Sequence, residues 1–185
     1  MEKQRTFTQT IPTVAFITAV ILMIPFIAMQ FNKDMNWSAF DFIIVGAIIF
    51  GIGTAFAYVV RKGQNLAYKA GVVVAFGTTF FMIWANLAVG LIASGPNFAN
   101  LMYIGVVAIS LIGTFVSGFK AGNMERTMYA AVFALVLIAA ISLIAIDWLG
   151  NTSIVEILAI NGFFATGYII AALLFRAAAK RQNEV

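Results

Sequence analysis

Of the 185 residues, 63% are hydrophobic and only 10% are charged, where a soluble domain carries about a quarter, so the chain cannot cover itself with water-facing charge and belongs in a lipid bilayer. It has no cysteine and no histidine, which excludes disulfides, thiol chemistry, thiolate or imidazole metal ligation and the commonest general base near neutral pH. The formal net charge of +4 does not point to nucleic acid, because the cations form no basic stripe interleaved with aromatics.

A membrane-spanning helix needs about 20 mostly apolar residues. Six stretches qualify, and period-two alternation is absent, so the expected fold is all-α: one polytopic transmembrane domain of six helices over residues 1–185. The first, residues 11–31, follows Lys3 and Arg5. Its apolar run is too long for a secretory signal and no small-residue cleavage site follows it, so it reads as a retained helix. Pro25 should free a carbonyl one turn earlier and kink the outer half. Helix 2, residues 39–60, carries Asp41 about one turn below Trp37, and Ala47, Gly51 and Ala55 at a four-residue spacing suited to close packing.

Helix 3, residues 70–93, holds Trp84 and Asn86 in "WANLAVGLIASGPNFANLMY". Thr79, Asn86 and Gly90 fall on one helical stripe. Gly95 and Pro96 stop the helix, and Asn97 or Asn100 is placed to cap the N–H groups that open the next. Helix 4, residues 101–119, has Ser110, Thr114 and Ser117 on one stripe, and helix 5 covers residues 128–146. Helix 6, residues 154–175, carries Glu156 in its first turn, where a negative charge suits the helix dipole. It also carries a stripe of Asn161, Ala165 and Tyr168.

With six spans both termini lie on one side. Lys3, Arg5, Arg61, Lys62, Lys69, Lys120, Arg126, Arg176, Lys180 and Arg181 then share that side, and Lys33 alone lies opposite. This bias places both termini in the cytoplasm. Trp37, Tyr103 and Trp148 would form an outer aromatic belt, and Tyr58, Tyr68 and Tyr129 an inner one.

An amide left bare in hydrocarbon is costly. If the three polar stripes face one another, they line an outward-opening pocket floored near Trp84 and capped by Asp41, with Asp41, Trp84, Asn86 and Asn161 binding a ligand. The alternative is interhelical hydrogen bonding, worth about 1 kcal/mol per bond. No nucleophile–base pair, metal cluster or acid pair at helical spacing is present, so no enzyme, no metal and no cofactor is expected. Small-solute binding or transport is the leading expectation. The alternative is a non-catalytic accessory or structural subunit, whose partner beyond the lipid bilayer would be another copy or a membrane complex.

The segments "MNWSAFDFIIVGAIIFG", "WANLAVGLIASGPNFANLMY" and "GVVAISLIGT" resemble a family of small uncharacterised bacterial membrane proteins. That family has a Trp-Ser-x-x-Asp-Phe start to helix 2, an Asn-Leu-Ala-Val-Gly stretch and an Asn-Pro-Ala-Asn-like turn. The likeness covers roughly residues 36–113. Pro96-Asn97 stands here in place of Asn-Pro, which weakens any role for that turn. The resemblance implies a bacterial inner membrane; it implies no activity and no catalytic residue.

Overall fold

The computed structural model describes residues 7–31, 37–63, 65–88, 90–92, 98–149 and 152–183. Lys3, Arg5, Lys33, Gly95, Pro96 and Asn97 lie outside the described residues, as does the side chain of Trp148. The architecture is all-helical, with no strand among the described residues. The helices are α1 (Phe7–Phe31), α2 (Ala39–Lys62), α3 (Leu66–Ala88), α4 (Met102–Val116), α5 (Ala121–Ile144) and α6 (Ile154–Asn183). Short 3₁₀ turns cover Phe98–Leu101 and Ile146–Trp148. Six helices are long and apolar enough to cross a membrane. Large apolar side chains such as Phe31, Ile43, Phe115, Ile144 and Phe163 are exposed where a soluble protein would carry charge. The protein is a multi-pass membrane protein.

The apolar cores of the helices fall where hydropathy puts them, but several ends do not. α3 begins at Leu66 rather than residue 70 because Asn65 caps it, its Oδ1 accepting the Tyr68 N–H at 2.9 Å. It ends at Ala88 rather than residue 93, and Gly90 then takes φ 75° while its N–H donates to the Asn86 carbonyl at 3.2 Å. Glycine accepts that left-handed conformation without a Cβ clash. α5 starts at Ala121, seven residues before the expected 128, and α6 runs to Asn183, eight beyond the expected 175. Those extra turns are polar, and a helix does not end where its apolar run ends.

The chain divides into two compact units, Met1–Arg61 and Lys62–Val185. In the N-terminal unit α1 and α2 run antiparallel. A Cβ at Gly46 would lie 3.1 Å from Leu22, and one at Gly53 only 2.8 Å from Val14, so glycine permits the close approach. Arg61 Nη1 donates to Thr10 Oγ1 at the end of this hairpin. At the other end Phe42 meets Trp37 and Phe26 edge-on, with centroids 5.4 and 6.3 Å apart.

In the C-terminal unit α6 packs along α5 and α3, and α4 packs on α5. Paired residues fix the directions. Gly71 meets Phe175 and Gly167 meets Thr78, so α3 and α6 are antiparallel; Gly113 meets Thr127 and Ser117 just past α4 meets Met124, so α4 and α5 are antiparallel. The interior is built from Tyr68, Met82, Tyr103, Met128, Leu135, Ile157, Tyr168 and Phe175. Two aromatic-belt expectations fail here. Tyr103 and Tyr68 are 1% and 2% exposed, core residues rather than interfacial anchors. Packing against α6 outweighs their interfacial preference, and Tyr68 stacks edge-on to Phe175 at 5.4 Å.

Candidate functional site

The polar stripes of α3, α4 and α6 meet inside the C-terminal unit. Thr79 Oγ1 lies 2.8 Å from the Tyr168 hydroxyl, and Ser110 Oγ donates to that hydroxyl at 3.1 Å. All three residues are buried. Thr79 also donates to its own α3 carbonyl at Ala75, 2.8 Å away. One proton per hydroxyl therefore gives a consistent chain: Ser110 donates to Tyr168, Tyr168 to Thr79, Thr79 to the backbone. Ser110 has an alternative acceptor in the Val106 carbonyl at 2.9 Å. Thr114 is back-bonded to the Ser110 carbonyl, and Ser117 serves the α4–α5 turn by accepting the Phe119 N–H at 3.1 Å.

Two turns away, Tyr103 Oη donates to Asn161 Oδ1 at 3.3 Å, and Asn161 Nδ2 donates to the Ile157 carbonyl at 2.9 Å. Tyr103 pairs with Asn161 and Ser110 with Tyr168 at the same sequence offset. The parallel helices α4 and α6 thus share one register with two polar rungs, seven residues apart on each helix, which is two turns.

Asn86 sits differently. Its Nδ2 donates to the Asn100 carbonyl at 3.2 Å. A carbonyl can only accept, so this bond fixes which way the amide faces. Its Oδ1 is then buried with no hydrogen-bond partner among the described residues. Asn100 in turn uses its Oδ1 to accept the N–H groups of Leu91 and Ile92, at 2.9 and 2.8 Å. The expectation that Asn100 caps the start of helix 4 fails; it caps the chain leaving α3 instead, because the 3₁₀ turn points its side chain back across the loop.

Comparison with family models, with curated proteins and with solved structures returned no match.

The remaining sequence candidates are Trp84 and Asp41. Trp84, expected at the pocket floor, is 57% exposed and stacks on Phe81 with centroids 5.8 Å apart. It lies two residues from Asn86, about 200° around α3, so the two side chains diverge. Asp41 belongs to the N-terminal unit, where its carboxylate closes a capping box. The Ser38 N–H and hydroxyl both donate to Asp41 Oδ2 at 2.7 Å, and the Asp41 N–H donates to Ser38 Oγ at 3.3 Å. Glu156 sits in a related setting, its N–H donating to Ser153 Oγ at 3.1 Å at the start of α6. The Ser-x-x-Asp and Ser-x-x-Glu spacings were the signal that these acids open helices. Sequence reasoning also passed over the Tyr103 hydroxyl, which an apolar belt assignment hides.

Proposed function

We propose that this is a protein of the bacterial inner membrane, with both termini cytoplasmic, that binds or transports a small uncharged polar solute at Asn86. The observation that carries the reading is the Asn86 amide: its nitrogen is held by Asn100 while its buried oxygen has no partner among the described residues. An unmet buried acceptor costs about 1–3 kcal/mol, which a hydroxyl or N–H of a bound solute would recover. The Asn86 amide carries no charge, which suits a neutral ligand. A binding role rather than a catalytic one fits a chain without cysteine or histidine. The cytoplasmic placement of the termini rests on the cations of the connecting turns.

A second reading, a non-catalytic accessory or structural subunit, is favoured by a different observation. The Thr79–Tyr168–Ser110 chain and the Tyr103–Asn161 pair satisfy one another, as interhelical glue does.

Thermal unfolding of the purified protein across a panel of polyols, sugars and small amides separates the two. Binding at Asn86 predicts a stabilising ligand whose effect is lost in Asn86→Leu and kept in Tyr168→Phe. A panel without any stabilising solute, or an undiminished response in Asn86→Leu, overturns the binding reading and leaves the structural one.

A further inference from the structure

One end of the C-terminal unit concentrates positive charge. Lys69 lies in the first turns of α3, Lys120 and Arg126 at the start of α5, and Arg176, Lys180 and Arg181 at the end of α6. Three contacts bring these ends together. Asn65 Nδ2 donates to the Ala178 carbonyl at 3.0 Å, tying the start of α3 to the end of α6. Tyr68 packs on Phe175 one turn deeper. Arg176 Nε lies 4.0 Å from Glu125 Oε1, tying the end of α6 to the start of α5. Glu125 is the acid at this end among the described residues, and Arg176 already engages it. The acids Asp147 and Glu156 lie at the opposite ends of α5 and α6.

Length adds a second argument. At 1.5 Å per residue the 30 residues of α6 measure about 45 Å, against a hydrocarbon core of about 30 Å. The apolar part of α6 ends at Phe175, so the excess is the segment from Arg176 onward, carrying Lys180 and Arg181 into the headgroup layer. The Arg176–Glu125 pair also sets the register. Beyond it α6 continues for seven residues and α5 extends back for four, so the basic end of α6 passes the start of α5 by about one turn. That start has no side-chain cap hydrogen bond from its N-cap, Lys120.

We propose that this end of the C-terminal unit is a docking surface for the phosphate-bearing headgroups of anionic phospholipids. The helix ends that carry the cations are held together by interhelical contacts, and the cations lie at the polar ends of these helices and outnumber the acids beside them among the described residues, so charge complementarity selects an anionic lipid over a zwitterionic one. Exposed Lys69, Lys120, Arg126 and Arg181 form its rim.

The test uses the full chain in uncharged detergent, titrated with phosphatidylglycerol and separately with phosphatidylcholine, with thermal unfolding and tryptophan fluorescence as readouts. The expected result is at least about fivefold tighter binding of phosphatidylglycerol, since each cation near the surface contributes on that scale. The preference should shrink in Lys180→Gln/Arg181→Gln and in Lys120→Gln/Arg126→Gln, and weaken as salt rises. Because the two double variants change different helices, a folding defect in one leaves the other to decide. No lipid preference, an undiminished preference in both variants, or the same response to inorganic phosphate or to polyglutamate as to the lipid would overturn the proposal.

Discussion

A tyrosine hydroxyl donates one hydrogen bond and accepts two, and Tyr168 uses this capacity to join three helices. Its loss should be modest, because Ser110 can turn to the Val106 carbonyl and Thr79 keeps its bond to Ala75. Tyr168→Phe is therefore expected to destabilise the protein by about 1 kcal/mol, measured by reversible unfolding in mixed micelles. A double-mutant cycle of Thr79→Val with Tyr168→Phe should return a coupling energy of about 0.6 kcal/mol; a coupling near zero would mean that the two hydroxyls do not bond. Capping is a residue-scale matter too. Ser153→Ala removes the acceptor for the Glu156 N–H and should cost about 1 kcal/mol. This role was legible from Ser-x-x-Glu alone, and Ser-x-x-Asp likewise gives Asp41 a local role in opening α2. An acid inside an apolar run draws attention as a functional residue, and the serine three positions earlier explains it more simply.

Between helices, the glycines divide by what stands over them. A Cβ at Gly113 would run into Thr127, and one at Gly167 into Thr78, both across packed helix pairs. Gly113→Val and Gly167→Val should each destabilise by about 1–3 kcal/mol through overpacking. A Cβ added at Gly122, in the first turns of α5, would meet nothing within 4 Å, so Gly122→Ala should stabilise by about 0.5 kcal/mol through reduced backbone entropy of the unfolded chain. The same unfolding measurement reads both signs. Helix existence was plain in the sequence because about 20 apolar residues in a row have few alternatives. Helix ends were not, since hydropathy registers the lipid and is blind to the polar turns that continue the same hydrogen-bond ladder. The stripes on α3, α4 and α6 were visible as spacing. Their pairing was not, because one chain's periodicity says which face is polar and nothing about which neighbour it meets.

For the molecule as a whole, the first quantity to measure is orientation. The chain has no native cysteine, so single cysteines introduced at Lys120 and at Ser153 can be labelled without background. Impermeant maleimide is expected to reach position 153 from outside intact cells and position 120 only after the membrane is opened. The reverse pattern would invert the topology. The division at Arg61 and Lys62 was not visible in composition, since both parts are built of apolar spans and the boundary falls at the end of α2, at a basic turn like the others.

The shared offset of the two rungs between α4 and α6 has a mechanical result. A slip of one helix past the other by a single turn, about 5.4 Å, would unhook Tyr103 from Asn161 and Ser110 from Tyr168 in the same stroke. Neither tooth can disengage by sliding while its twin stays caught. The pair therefore acts as a two-toothed latch that is shut or fully released, with no stable half-open setting along that path.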